Sequence, residues 1–245
     1  MKLFLTSSVG ASYKVDGKRI PCPLNNSNHI LDLLKKHWIM NANCLIISSD
    51  PESEEINDSF KAIYYEAFQL SNLSISKFDV CDSRNESGLT EVIYDYDVLF
   101  LAGGHVPTQN QFFARIQLAK LLRDFEGVII GNSAGTMNCA DIVYAQPEIE
   151  GEATNQYYQR YLDGLDLIKI SILPHFQDLK ELLLDGLRVI EDISIPDSKS
   201  RSFYALTDGA YVFMNAGKSV LYGEAYLINN GIIEKVCETN KSIEL

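Results

Sequence analysis

Apolar residues along this chain fall into two alternating patterns, short runs of strand length and longer segments with apolar positions three and four apart. Leu3 to Ser7, Cys44 to Ser48, Ser74 to Phe78, Val98 to Ala102, Gly127 to Gly131 and Leu167 to Leu173 are mostly rich in Ile, Leu, Val or Phe, as strands buried on both faces should be. Between them, His29 to Trp38, Glu54 to Leu70, Thr108 to Asp124, Ala134 to Ala140 and Leu179 to Ile190 carry helical periodicity. The alternation predicts βαβ crossovers, hence an α/β fold: a three-layer α/β/α sandwich around a mostly parallel sheet. After Phe203 the pattern becomes Phe-Tyr-Ala-Leu, Tyr-Val-Phe-Met and Val-Leu-Tyr-Gly. Turn formers at Thr207-Asp208-Gly209, Asn215-Ala216-Gly217 and Asn229-Asn230-Gly231 separate these runs, predicting an antiparallel meander that finishes the sheet. No Pro/Gly/Ser-rich linker sets the meander apart, so residues 1–245 are expected to form a single domain. The polar stretch Ser8 to Asn28 is expected to be a loop over the C-terminal edge of the first strand, where open α/β sheets place ligands.

Charge narrows the function classes. Thirty-three acidic against 21 basic residues give a formal charge of −12, which repels nucleic acid and anionic membrane surfaces and argues against either as a partner. The five cysteines are odd in number, scattered and without C-x-x-C spacing, so reduced thiols and a cytoplasmic protein are the simplest expectation. The first residues have no secretory pattern, and nowhere do about 18 apolar residues run together. A monomer or a homodimer fits equally.

The most informative stretch is Val128 to Asn138, an apolar run leading into Gly131-Asn132-Ser133-Ala134-Gly135 and then a helical segment. This is a variant of G-x-S-x-G. In a nucleophile elbow the strand-to-helix turn is so sharp that β-carbons on the flanking residues would clash, and the turn lifts the serine hydroxyl out of the backbone. The N–H of Ala134, at the start of the helix, then points toward an oxyanion forming on an attacked carbonyl. A glycine turn that only closes a strand onto a helix, or that binds phosphate, has the same composition.

A serine nucleophile needs a base, and the histidines are His29, His37, His105 and His175. His29 and His37 bracket a helical segment, whereas His175 follows a strand about 40 residues after Ser133 and is expected at the same sheet edge. The base in turn needs a carboxylate, for which Asp208, Glu148, Glu150 and Asp178 are candidates. A second strand ends in Gly103-Gly104-His105, where the glycines could supply another oxyanion donor or simply make a tight turn before Pro107. His105 is a second base candidate or a pocket residue. Cys139 lies in the helical pattern and is expected to pack in the core.

Gly103-Gly104 after a strand, Gly-x-Ser-Ala-Gly at 131 to 135, Pro174-His175-Phe176 and Leu206-Thr207-Asp208-Gly209 resemble, in order and spacing, the dipeptidase E and cyanophycinase family of serine peptidases over nearly the whole chain. The resemblance implies a class I glutamine amidotransferase-like fold and hydrolysis of short peptides, possible substrates including N-terminal Asp-X dipeptides. It implies Ser133 as nucleophile, His175 as base, Asp208 as the triad acid in place of the family's glutamate, and Gly104 and Ala134 as oxyanion donors. Gly103, His105, Asn132, Glu148 and Arg188 are then candidates for the substrate pocket. The chemistry needs no metal and no organic cofactor, and the partner is a small peptide substrate.

Two departures stand out: His105 replaces the family's asparagine, and the arginine-bearing loop beyond the histidine is not evident, Arg188 and Arg201 being the nearest basic residues. Aspartyl specificity is therefore not inherited with the resemblance. A non-peptidase acyl hydrolase and a silent ligand-binding member of the fold are the competing expectations.

Overall fold

Eight strands form the central sheet of the computed structural model, which describes residues 1–245. Their order is Ser242–Glu244, Lys218–Tyr222, Tyr211–Asn215, Lys2–Thr6, Val128–Asn132, Val98–Leu101, Ala42–Ile47 and Ile75–Cys81. The strands from Lys2–Thr6 to Ile75–Cys81 are mutually parallel. The remaining ones add antiparallel on the other side of Lys2–Thr6.

Successive side chains along each parallel strand enter opposite cores. Leu3, Leu5, Leu99, Leu101 and Ile129 pack with Phe112, Leu118 and Leu122 on one face. Phe4, Val98, Phe100, Val128 and Ile130 pack with Leu31, Leu34, Ala67 and Phe68 on the other. With helices on both faces no strand position needs to be polar, which is why these strands read as continuous apolar runs. The helix Glu54–Leu70 has the expected bounds, with two glutamates in its first turn, where the helix dipole favours negative charge. The expected helix from Thr108 to Asp124 is instead Val106–Arg115 and Leu118–Leu121, interrupted at Gln117, whose φ is 53°.

Four further expectations are corrected. The stretch Leu167 to Leu173 is a strand only at Ser171–Leu173, and it lies outside the central sheet. It pairs in parallel with Phe203–Leu206, and Ala225–Asn229 and Ile232–Cys237 complete a separate four-stranded sheet. The C-terminal meander is thus divided between two sheets, since Tyr211–Asn215 and Lys218–Tyr222 join the central one. Its turns are as the sequence implies: Ala216 and Gly217, and Asn230 and Gly231, all have positive φ, as two-residue hairpin turns of this hand require.

Leu179 to Ile190 is not a helix. A single turn at Phe176–Leu179 is followed by a tight hairpin of Leu183–Leu184 and Leu187–Arg188. The Asp185-Gly186 pair closes it with positive φ at both residues, and this turn chemistry outweighs the three-and-four spacing of the surrounding leucines. Finally, the segment Ser8 to Asn28 is not a plain loop, because it contains a hairpin of Ser12–Val15 and Lys18–Pro21. No helix is long and apolar enough to cross a membrane.

The parallel pairing of Ser171–Leu173 with Phe203–Leu206 sets the segments that follow them, carrying His175 and Asp208, at one end of the smaller sheet. A third core, including Ala134, Met137, Leu173, Phe176 and Phe203, joins that sheet to the helix after Ser133.

Candidate active site

Ser133 stands alone between the strand Val128–Asn132 and the helix Ala134–Met137, with φ 51° and ψ −113°. A non-glycine residue in such a conformation costs on the order of 1–3 kcal/mol and persists only where its surroundings impose it. Thr6 supplies much of that constraint: its carbonyl accepts the Ser133 N–H at 3.1 Å and the Thr136 hydroxyl at 2.8 Å. Its own hydroxyl donates to the Gly131 carbonyl at 2.8 Å. The glycines of the pentapeptide are required by contact. A Cβ on Gly131 would sit 2.9 Å from Thr136 Cα, and one on Gly135 would sit 2.2 Å from the Leu101 carbonyl oxygen. Cys139 is buried, donates to the Gly135 carbonyl at 3.1 Å, and has its thiol pKa pushed well up by burial.

The structure brings His175 and Asp208 to Ser133. His175 Nε2 lies 2.9 Å from Ser133 Oγ, and Nδ1 lies 2.8 Å from Asp208 Oδ1. An ionised carboxylate only accepts, so Nδ1 carries the proton toward Asp208 and Nε2 is left to accept from the serine hydroxyl. His175 reaches this place from the smaller sheet rather than the central one, in a left-handed conformation with φ 56°. Ser7, which sequence reasoning missed, ties the group together. Its hydroxyl accepts the His175 backbone N–H at 2.8 Å and donates to Asp208 Oδ1 at 2.7 Å, and the residue is completely buried. Gln177 Oε1 accepts the Asp208 N–H at 3.0 Å.

Burial works to lower the His175 pKa, but the hydrogen bond and charge of Asp208, with the nearby charges of Asp178 and Glu148, outweigh it and leave the pKa above the usual histidine value. For Asp208, burial works upward, and the hydrogen bonds from His175 and Ser7 bring the net shift below the usual aspartate value. Each partner thus favours the charged form of the other. His175, Asp178 and Asp208 also lie close enough to hold a cation, but both ring nitrogens of His175 already have partners in Ser133 and Asp208.

Ser133 and His175 open onto a cleft of about 530 Å³ that includes Gly103, Gly104, His105 and Asn132 among its lining. A Cβ on Gly103 would lie 3.3 Å from Ser133 Cβ, so the Gly103-Gly104 backbone passes directly beside the serine. Neither the Gly104 nor the Ala134 N–H donates to another group of the chain. Asn132 Oδ1 accepts the Val9 N–H at 3.0 Å, which fixes its amide at the cleft wall. His105 does not bond to Ser133: its nitrogens pair with Thr108 Oγ1 at 2.8 Å and Glu152 Oε1 at 2.9 Å.

Glu148 makes no hydrogen bond to His175. Burial, reinforced by the charge of Glu152, pushes its carboxyl up to about 7. Arg188 lies on the surface hairpin, bound to Asp192 at 2.9 Å, and does not line the cleft, because its segment is not the helix expected there. Besides Ser7, sequence reasoning missed Ser49, whose hydroxyl donates to the Gly103 carbonyl at 2.8 Å, and Arg19 at the cleft wall. Only position was available as a signal: Ser7 and Ser49 each follow a buried strand at the edge that carries Ser133.

The family model for peptidase family S51 matches residues 26–221, a span that contains Ser133, His175 and Asp208. Among solved structures, the 1.5 Å crystal structure of a candidate peptidase E protein from Listeria monocytogenes EGD-e is 18% identical with a TM-score of 0.58. The alignment covers 96% of this chain and 98% of that one, so the two share an α/β fold built on a large, mostly parallel sheet. No curated protein sequence matches the chain. With the family match extending over most of its length, the chain belongs to peptidase family S51, the dipeptidase E family.

Proposed function

We propose that the protein is a serine peptidase that hydrolyses short peptides through Ser133, His175 and Asp208. The observation that carries this reading is the continuous line of hydrogen bonds from Ser133 Oγ to His175 Nε2 and from Nδ1 to Asp208 Oδ1, set on an elbow with unpaired N–H groups beside it. His175 takes the Ser133 proton on Nε2 as Oγ bonds to the substrate carbonyl carbon. The Ala134 and Gly104 N–H groups receive the oxyanion. Collapse breaks the C–N bond as Nε2 protonates the leaving amine. Water then attacks the acyl-enzyme, gives its proton to Nε2, and releases the acid with Ser133 restored.

Asp208 is one methylene shorter than the glutamate that the family resemblance implies. Its contact with His175 is supported by Ser7 and Gln177, which fix the turn that bears it. A cleft of about 530 Å³ suits a short peptide rather than a folded protein. All five cysteines are free, in keeping with a reducing compartment, and residues 1–245 are read as one domain joined by the third core. The test is hydrolysis of a dipeptide panel beside an ester panel. Wild type should cleave dipeptides, and Ser133→Ala should lose that activity while retaining its circular dichroism spectrum. A fully active Ser133→Ala protein overturns the proposal, and cleavage of esters alone makes the protein an acyl hydrolase of another kind.

A further inference from the structure

Of the two N–H groups beside Ser133, that of Ala134 is set by the elbow, because Ala134 begins the helix Ala134–Met137. That of Gly104 belongs to a peptide between two glycines. With no Cβ on either side such a peptide turns over at little steric cost, and a turned one would face an oxyanion with its carbonyl. Ser49 makes the one hydrogen bond that this peptide has within the chain, its hydroxyl donating to the Gly103 carbonyl at 2.8 Å. In a trans peptide C=O and N–H project in opposite directions, so a carbonyl fixed toward Ser49 turns the Gly104 N–H away from it. Gly104 is exposed at the cleft, where water could serve the neighbouring carbonyl equally well. The Ser49 bond therefore decides direction rather than satisfying a buried group.

Ser49 is itself anchored. It follows the strand Ala42–Ile47 and is buried. Its neighbours on both sides are tied to Asn57, a buried residue of the helix Glu54–Leu70. The Ser48 hydroxyl donates to Asn57 Oδ1 at 2.8 Å and accepts the Asp50 N–H at 3.1 Å, and Asn57 Nδ2 donates to the Asp50 carbonyl at 3.0 Å. The approach to the glycine pair is close, since a Cβ on Gly104 would lie 2.4 Å from Ser49 Oγ. A Cβ on Gly103 would lie 2.7 Å from Asn132 Nδ2, whose amide is fixed by the Val9 N–H. The pair thus runs between two side chains that are both held by the fold.

We propose that Ser49 is a positioning residue for the oxyanion site: by holding the Gly103 carbonyl it keeps the Gly104 N–H turned toward the cleft. Ser49 touches neither the triad nor the substrate's reacting atoms and acts through the Gly103-Gly104 peptide alone. This role rests on the peptidase reading of Ser133 and adds to it a residue on a strand end separate from the elbow and from the turns that carry His175 and Asp208.

The test compares wild type with Ser49→Ala and Ser49→Cys on the dipeptide that wild type cleaves fastest. Ser49→Ala should lower kcat about 10- to 100-fold, less than the loss on the order of 10²- to 10³-fold that follows outright removal of an oxyanion donor. Fluorophosphonate labelling of Ser133 should slow by a similar factor, because its phosphoryl oxygen occupies the same site. A thiol is a weaker donor in the same place, so Ser49→Cys should fall between serine and alanine. Two readouts should not move: the acid limb of the pH profile, which reports His175, and calorimetric binding of the uncleaved dipeptide to Ser133→Ala protein with and without Ser49→Ala. Wild-type kcat in Ser49→Ala, a shifted acid limb, or ground-state binding that weakens as much as kcat overturns the inference. Wild-type protein that neither labels nor cleaves any peptide overturns the peptidase reading itself, and the role of Ser49 falls with it.

Discussion

Glu148 supplies the most quantitative prediction. Its carboxyl is largely buried near the negative charge of Glu152, and the two effects raise its pKa from 4.5 to about 7. Between those values the folded protein holds a proton that the unfolded chain has released, so stability falls as pH rises through this window and is not recovered above it. At 1.36 kcal/mol per pH unit the ionised carboxylate costs about 3 kcal/mol above pH 8, and under about 1 kcal/mol at pH 5. Glu148→Gln removes the titration while keeping the shape of the side chain. Urea unfolding at pH 5 and pH 8 should show the variant gaining about 2–3 kcal/mol on wild type between the two conditions. A difference between variant and wild type that does not change with pH would refute the reasoning. Because the charge of Glu148 also helps to raise the His175 pKa, the acid limb of the activity profile should move to lower pH in the same variant.

Other perturbations test the parts of the site separately. Asp208→Asn should lower kcat on the order of 10³- to 10⁴-fold, as loss of the orienting carboxylate does in other Ser-His-Asp sites. It should also shift the acid limb of kcat/KM downward, since the hydrogen bond and charge of Asp208 hold the His175 pKa up; a limb that moves upward or stays fixed contradicts the assignment. Ser7→Ala removes the acceptor of the His175 N–H and one donor to Asp208, and should cost about 1–3 kcal/mol in urea unfolding. It should reduce kcat more than it raises KM, and a variant with wild-type stability and kcat would show that Ser7 does not position the pair.

Much of the fold was legible because each parallel strand is buried on both faces, so its apolar run is unbroken and its ends are marked by Gly, Ser or Asn. The elbow was legible for a steric reason, since Gly131 and Gly135 leave no space for a Cβ. The separate four-stranded sheet was not, because a short apolar run such as Ser171–Leu173 does not reveal which partner it will pair with. The hairpin at Leu183 to Arg188 was hidden by leucines at helical spacing, although Asp185-Gly186 was there to mark it. Ser7 and Arg19 carry no motif at all. Their places at the site come from the fold, Ser7 meeting Asp208 across 201 positions of sequence and Arg19 reaching the cleft wall by a hairpin within a segment that reads as polar loop.

The central claim is that Ser133 is an activated nucleophile, and intact-mass spectrometry after incubation with a fluorophosphonate tests it most directly. Wild-type protein should gain one adduct, Ser133→Ala none, and His175→Ala the same adduct at a greatly reduced rate, because only a serine whose proton is taken by His175 reacts readily. An unmodified, folded wild-type protein, or equal labelling of Ser133→Ala, would contradict it.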